Sequence, residues 1–196
     1  EGDEYLSSPI DMRPKFHLYK PNIALLSGIA WDHINVFPTF ENYKEQFKIF
    51  TDSMINGGSM VYNIEDENVK EVVETSINHI KKYPYETPKH FIDNGTTYLE
   101  TDEGDLPLEI FGKHNLQNLA GAKWICQHMG IDEGDFYEAI VSFSGASKRL
   151  EKIVENSTTV IFKDFAHSPS KVSATTKAVK EQYSDRSVIA CLELHT

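Results

Sequence analysis

The chain has 196 residues, 40% hydrophobic and 11% aromatic, so it can bury a full domain core and is not intrinsically disordered. Its net charge of −11, from 30 acidic and 19 basic residues, argues against a nucleic-acid or anionic-membrane partner, because both need a basic surface. No apolar run approaches the ~20 residues of a membrane-spanning helix. Cys126 and Cys191 lie in apolar runs and are expected to be buried free thiols, as in a reducing cytoplasm.

The first part of the chain alternates strand-like and helix-like patterns. Residues 1–21 contain three prolines and are predicted to be a loop. The continuously apolar run Ile23–Ala30 predicts a strand buried on both faces of a sheet. Helices are predicted over Glu41–Met54 and Glu65–Lys82, separated by a short strand, Ser59–Asn63. This order predicts an α/β fold with a mostly parallel sheet and right-handed crossovers.

The later part predicts an antiparallel patch and a second α/β unit. Short apolar runs separated by Asn-Gly and Glu-Gly pairs predict hairpin strands over Phe91–Asp93, Thr96–Thr101 and Leu106–Ile110. The remaining predicted elements are helices His114–Met129 and Glu133–Ser142, a linker Phe143–Glu151, a strand Val160–Lys163, a helix Ser170–Tyr183 and a buried strand Ser187–Leu194. Both chain ends suggest a fragment of a longer protein.

Two places carry candidate chemistry. The stretch Phe111–Asn118 joins a strand-like run to a helix whose core-facing stripe is predicted to contain Leu119, Ala122, Cys126 and Met129. Asn115 and Asn118 lie near the start of this helix, where free backbone N–H groups could help them frame a phosphate or a nucleotide base. Alternatively, Asn115 caps the helix and Asn118 is solvated. His33 follows the first buried strand and is either a metal ligand or a hydrogen-bonded loop residue.

Five ordered motifs together resemble the Mur ligase family of ATP-dependent amide-bond-forming enzymes. They are Glu1–Tyr5, Trp31–His33, Gly112–Asn115 with Asn118 and Ala120, Lys148–Glu151, and Asp164–Pro169. The resemblance implies that residues 1–147 are the second half of a P-loop ATPase-like central domain and residues 148–196 the beginning of a Rossmann-like C-terminal domain. It therefore implies a fragment.

The resemblance also implies ATP and Mg²⁺ as cofactors. Glu1 and His33 would hold Mg²⁺, although an imidazole is an unusual ligand for so hard an ion and could act through water. His33, Arg149 and His167 would be the catalytic groups, with His167 facing the incoming amine. Lys48 stands fifteen positions after His33, where some sister ligases carry a carbamylated lysine; the alternative is a surface lysine.

The nucleotide would be held by residues from both predicted domains. Asn115 and Asn118 would contact it, Asp164 would bind the ribose, and the planar guanidinium of Arg149 would reach the terminal phosphates. Domain closure would complete the site around one triphosphate. Lys163 and Ser168 depart from the family pattern and are left out of the site. No G-x-x-x-x-G-K-[ST] loop occurs in the sequence, so we expect no ligase activity and little ATP affinity from these residues alone.

The implied substrates are cell-wall precursors. Glu1–Tyr5 followed by Arg13–Pro21 resembles the members that join L-alanyl-γ-D-glutamyl-meso-diaminopimelate to UDP-N-acetylmuramate through an acyl phosphate, which recycles cell-wall peptide. Ligases that add L-alanine to UDP-N-acetylmuramate typically have Ser where Tyr5 stands. Another Mur ligase, or a relative of folylpolyglutamate synthase, is an alternative. A non-catalytic binding module that keeps the fold is an alternative of another class.

Overall fold

The computed structural model describes residues 2–193, which form two compact units. Among the described residues, the first unit comprises residues 2–86 together with Ala120–Gly130, and the second comprises Thr87–Leu119 with residues 131–193. The elements in chain order are β1 (Leu6–Ser8), β2 (Asp11–Pro14), β3 (Ile23–Leu26), α1 (Phe40–Ser53), β4 (Ser59–Asn63), α2 (Glu67–Glu74), β5 (Lys81–Tyr85), β6 (His90–Asp93), β7 (Thr96–Thr101), β8 (Gly104–Leu108), α3 (Lys113–His128), α4 (Glu133–Val141), β9 (Glu151–Glu155), β10 (Val160–Lys163) and α5 (Pro169–Gln182).

The first unit is built on a three-stranded parallel sheet in the order β3-β4-β5, which confirms the predicted α/β class. Successive side chains of the central strand β4 pack in different clusters, as expected for a strand covered on both faces. Met60 packs with residues of α1 and α2, whereas Val61 packs with Tyr85 and with Ala120 of α3. Met60 and Val61 are both fully buried.

Close packing of α3 on this sheet requires a residue without a side chain. A Cβ atom added to Gly121 would lie 2.8 Å from a Leu25 methyl carbon and 3.1 Å from the Tyr85 ring. The predicted core stripe of α3 is only partly correct. Leu119 is buried, but Ala122 and Cys126 are half-buried and Met129 is 70% exposed.

The predicted helix over Glu65–Lys82 is too long, because tertiary hydrogen bonds end α2 early. Asp66 caps the helix by accepting hydrogen bonds from the N–H groups of Asn68 and Val69. After Glu74 the chain leaves the helix, and the Asn78 side chain donates to main-chain carbonyls at the end of α1, those of Thr51, Asp52 and Met54. The following residues then pair with β4 as strand β5.

The prediction that the opening segment is a loop is wrong in part. The segment contains the antiparallel pair β1 and β2. Pro14 ends the second strand, and the chain then turns so that Phe16 is buried between Phe47 and Phe50 of α1. Burial of this aromatic ring gives the segment an anchor in the core, which the proline pattern alone does not reveal.

The second unit contains the predicted antiparallel patch, in the order β6-β7-β8. It also contains the two-stranded antiparallel sheet of β9 and β10, of which only β10 was predicted. The Gln182 side chain at the end of α5 accepts a hydrogen bond from the Thr97 hydroxyl at 2.8 Å and donates one to the Gly95 carbonyl at 2.6 Å. This bifunctional contact fixes α5 to the hairpin of β6 and β7.

The predicted strand Ser187–Leu194 is absent from its described part. Residues 187–193 form no regular structure and are exposed, and Leu194 lies outside the described residues. A strand buried on both faces needs neighbouring strands and covering helices, which residues 187–193 lack in the described unit. Cys191 is consequently exposed rather than buried, while Cys126 is half-buried, and both are free thiols. Among the described helices, none is both long and apolar enough for a transmembrane span.

Two half-buried residues, Gly112 and His114, shape the start of α3. Gly112 has φ +87°, and a Cβ atom there would clash with the Cβ of Ala178 in α5. His114 is half-buried beside it. Burial lowers the pKa of the His114 imidazole, and the negative charge of Asp164 offsets this effect in part.

The packing at Gly112 predicts a large cost for a methyl group there. Gly112→Ala should lower the free energy of unfolding by about 3 kcal/mol, because it combines left-handed backbone strain with a clash against α5. Gly145→Ala is the matched control, since Gly145 has φ +96° but its added Cβ would meet only ordinary contacts, the nearest at 3.6 Å. We expect the control to lose about 1 kcal/mol in urea denaturation followed by circular dichroism. Equal losses in the two variants would contradict the clash.

The pKa of His114 predicts a pH dependence of stability. Because the folded state lowers this pKa below its ordinary value, the unfolded chain binds more protons on acidification, and the free energy of unfolding should fall between about pH 7 and about pH 5. His114→Gln should remove most of that slope, whereas His90→Gln, at an exposed position, should keep it. Urea denaturation across this pH range measures the slope, and an unchanged slope in His114→Gln would refute the assignment.

Candidate functional site

In the first unit, a cluster of metal-binding groups forms where the chain leaves β3. The cluster contains Glu4, Asp32 and His33, and one ligand atom of each lies within 4.8 Å of the others. The ring atom His33 Nε2 lies 3.4 Å from Glu4 Oε1. The main-chain N–H of His33 donates to Asp32 Oδ1 at 2.9 Å. His33 has φ +54°, a backbone conformation that is unusual outside glycine and that occurs often at functional sites.

Two tyrosine side chains, those of Tyr43 and Tyr5, contact this cluster. The Tyr43 hydroxyl donates to Glu4 Oε1 at 3.4 Å, and burial, followed by the charges of Glu4 and Asp32, raises the pKa of Tyr43. Tyr43 therefore stays a neutral donor. The centroids of the Tyr5 and His33 rings lie 4.9 Å apart. These contacts hold the imidazole and one carboxylate in place without adding charge.

The donor set fits a hard divalent cation. Two carboxylates supply the oxygen ligands that Mg²⁺ prefers, and an imidazole can contribute directly or through water. Of the two metal ligands predicted from sequence, His33 belongs to this cluster and Glu1 lies outside the described residues. Sequence reasoning did not include Glu4 and Asp32 in this group. Their signal was present, because Glu4 follows Glu1 in one acidic run and Asp32 precedes His33.

Lys48 has the environment of a surface lysine. Its Nζ forms an ion pair with Asp52 Oδ2 at 2.8 Å, one helical turn along α1. The hydrogen bond from this lysine to Asp52 raises its pKa. Carbamylation requires a neutral amine, so the geometry favours the surface alternative over the carbamylated one.

In the second unit, the two predicted carboxamides lie in the first two turns of α3. The Asn115 side-chain nitrogen donates to the Phe111 carbonyl at 2.9 Å, and Asn115 lies inside α3, which begins at Lys113, rather than at the capping position before the helix. Asn118 is exposed. Exposure is compatible both with the predicted contact to a nucleotide and with simple solvation, and its role stays a prediction.

The other three predicted groups of the second unit meet around Phe165, whose side chain is 56% exposed. The Arg149 guanidinium carbon lies 5.7 Å from the centre of the Phe165 ring, in cation–π contact. The rings of His167 and Phe165 lie 5.1 Å apart, and His167 Nδ1 lies 2.9 Å from the Phe165 carbonyl oxygen. Asp164 immediately precedes Phe165 and accepts hydrogen bonds from the N–H groups of Leu150 and Ala166.

A surface groove lies beside this group. It has a volume of about 440 Å³ and is lined by His167 and by side chains of α5 and the segment after it, which are Pro169, Val172, Ser173, Thr176, Lys177 and Leu192. His167 thus lines an open groove and also contacts Phe165, the ring over which the Arg149 guanidinium lies. Such a place suits a group that faces an incoming substrate, as the sequence predicted, although that role stays a prediction.

The sequence is similar to known proteins over its whole length. One relative, the UDP-N-acetylmuramate–L-alanine ligase of Caldicellulosiruptor saccharolyticus, is 31% identical over 100% of this chain and 44% of its own length. The chain therefore spans less than half of the curated relatives it matches.

Solved structures share the fold at lower identity. A murein peptide ligase from Psychrobacter arcticus matches with a TM-score of 0.65 and 20% identity, over 95% of this chain and 40% of its own. The MurF ligase of Thermotoga maritima in complex with ADP matches with a TM-score of 0.67 and 15% identity, over 83% and 40%. The Mur ligase middle domain model matches residues 7–126, which is more than half of the sequence. The chain belongs to the Mur ligase middle domain family.

Proposed function

We propose that this chain works within an ATP-dependent ligase that joins an amine to the carboxylate of UDP-N-acetylmuramate. The family match over residues 7–126 carries this proposal. Eight relatives among those compared are all named UDP-N-acetylmuramate–L-alanine ligases, which supports the sugar nucleotide as the acid substrate. The net charge of −11 is consistent with small-molecule substrates rather than nucleic acid.

The second unit would supply the contacts to the nucleotide. ATP provides the phosphoryl group that activates the carboxylate, and Arg149 would stabilise the charge on the terminal phosphates. The support for this role is an exposed guanidinium held over Phe165, next to the predicted ribose-binding residue Asp164. Asn115 and Asn118 would contact the nucleotide from α3. The ADP complex of the MurF neighbour is consistent with a nucleotide site in this fold.

The first unit would hold Mg²⁺. His33, with Glu4 and Asp32, offers a mixed carboxylate and imidazole set, and the predicted ligand Glu1 would extend it. In this role the chain's own groups would neutralise charge that gathers on phosphate oxygens. The neutral Tyr43 hydroxyl would keep Glu4 oriented toward the cation.

Two amines compete as the second substrate. Tyr5 and the stretch Arg13–Pro21 favour the tripeptide L-alanyl-γ-D-glutamyl-meso-diaminopimelate, as in murein peptide ligase, and His167 would face its amine. The names of the sequence relatives favour L-alanine instead. Both reactions share the same acid substrate and the same chemistry, so the amine pocket alone distinguishes them.

Substrate profiling of the product of the complete gene decides between these amines. With ATP, Mg²⁺ and UDP-N-acetylmuramate, we expect phosphate release to depend on the tripeptide, with a kcat/KM at least about a hundredfold above that for L-alanine, because a site built for buried polar groups rejects an analogue that lacks them. Preference for L-alanine would reassign the enzyme to the other ligase. Release with folate substrates in place of UDP-N-acetylmuramate would reassign it to the folylpolyglutamate synthase type.

Substitution of Arg149 tests the catalytic proposal against a non-catalytic binding module. In the same gene product, Arg149→Ala should lower kcat by about a hundredfold to a thousandfold, the usual cost of one preorganised charge-stabilising group. Arg149→Lys should also be impaired, since an ammonium lacks the planar fork of donors. Lys152→Ala removes a nearby exposed cation that pairs with Glu155, and it should leave turnover unchanged. Wild-type turnover in Arg149→Ala would favour the binding module.

A further inference from the structure

The loop that carries Arg149 has an unusual backbone. Arg149 stands between Lys148, with φ +58°, and Leu150, with φ +50°. Neither neighbour is glycine, asparagine or aspartate, the residues that most readily adopt the left-handed conformation. Backbone of this kind persists only where surrounding contacts hold it, and it clusters at functional sites.

A carboxylate holds each of the two left-handed residues. The Lys148 N–H donates to Glu151 Oε2 at 2.7 Å, and the Ser147 hydroxyl donates to the same oxygen at 3.1 Å. The Leu150 N–H donates to Asp164 Oδ2 at 2.7 Å. Hydrogen bonds from N–H groups to ionised carboxylates are short and strong, so both strained residues are fixed by the best acceptors that proteins have.

Further contacts remove the remaining freedom of the loop. The Arg149 N–H donates to the Ala146 carbonyl at 3.0 Å, and the Phe165 N–H donates to the Lys148 carbonyl at 2.9 Å. The Leu150 side chain is buried in a cluster with Phe111, Ala178 and Tyr183. The backbone around Arg149 therefore cannot relax without breaking one of these bonds, while the guanidinium itself remains exposed.

Glu151 differs from an ordinary surface carboxylate. The Lys148 N–H, followed by the Ser147 hydroxyl, lowers the pKa of Glu151, so the side chain is ionised at neutral pH. Glu155, four residues later on β9, instead accepts a hydrogen bond from the mobile end of the Lys152 side chain at 2.8 Å. Both glutamates lie on β9 and both are acidic. Of the two, only Glu151 is hydrogen-bonded to the backbone beside Arg149.

We infer that Glu151 is a positioning residue for Arg149. By holding the Lys148 N–H, it fixes the strained turn that directs the guanidinium toward the phosphates of a nucleotide. That Arg149 faces nucleotide phosphates rests on the proposed function, whereas the control of the turn by Glu151 does not. Loss of the Glu151 carboxylate frees Lys148 to leave the left-handed region, and the direction of the Arg149 side chain then changes although its charge is intact.

The role of Glu151 is testable by NMR on the ¹⁵N-labelled 196-residue chain. Glu151→Ala should speed hydrogen exchange of the Lys148 amide by about tenfold, the usual value of a hydrogen bond to a charged group, and should increase the mobility of the Arg149 Nε–H group. Exchange of the Ala178 amide should stay at the wild-type rate. Glu151→Gln should retain most of the protection, since its amide oxygen still accepts. Glu155→Gln is the matched control and should change none of these readings.

A titration of the product of the complete gene, in which the rest of the predicted nucleotide site is present, with inorganic pyrophosphate then links the turn to function. Glu151→Ala should weaken the affinity measured at Arg149 Nε by about tenfold relative to wild type, with partial rescue by Glu151→Gln. Absence of binding to wild type would count against the phosphate role of Arg149, and the exchange data would still decide the role of Glu151. Unchanged Lys148 exchange and Arg149 mobility in Glu151→Ala would overturn the inference. So would equal acceleration at Lys148 and Ala178, because it would reveal a general loss of stability.

Discussion

The packing of the first unit depends on strand β4, whose side chains are buried on both faces of the sheet. This strand hydrogen-bonds to a parallel neighbour at each edge, and its successive side chains enter separate hydrophobic clusters. Because parallel strands end at the same edge of a sheet, β4 also determines where the polar loops lie. Asp66, which follows β4, caps α2 and accepts a hydrogen bond from the Ile29 N–H in the loop after β3. The segment that leads to His33 is thus hydrogen-bonded to a residue of the short connection between β4 and α2.

The elements that local pattern determines were predicted closely. β4 and β10 have the predicted bounds, and α1 and α5 differ from prediction by one residue at each end. Errors arose where distant contacts decide the structure. After Glu74 the sequence pattern favours a helix, but hydrogen bonds of the Asn78 side chain and pairing with β4 produce a turn and a strand instead. The opening segment is fixed by the burial of Phe16.

For the candidate site, the family resemblance implied which residues take part but not the contacts that they make in the fold. It placed Arg149, Asp164 and His167 in one site, and the structure gathers them around Phe165 within the second unit. It did not reveal that the Asp164 carboxylate holds main-chain N–H groups, because hydrogen-bond acceptors of a folded loop leave no periodic pattern. The proposed contact to ribose would therefore be made by a carboxylate that already accepts hydrogen bonds from two main-chain N–H groups. The convergence of both units on one triphosphate stays a prediction.

The segment after α5 has a consequence for handling the chain in solution. Val188, Ile189 and Leu192 are exposed in an irregular stretch with a single acidic residue, Glu193, among residues 187–193. Short apolar stretches of high β-propensity and low charge readily pair between molecules. The net charge of −11 keeps copies apart at low ionic strength, and added salt screens that repulsion. Self-association through this segment should therefore increase with salt, opposite to the behaviour of a complex held by ion pairs.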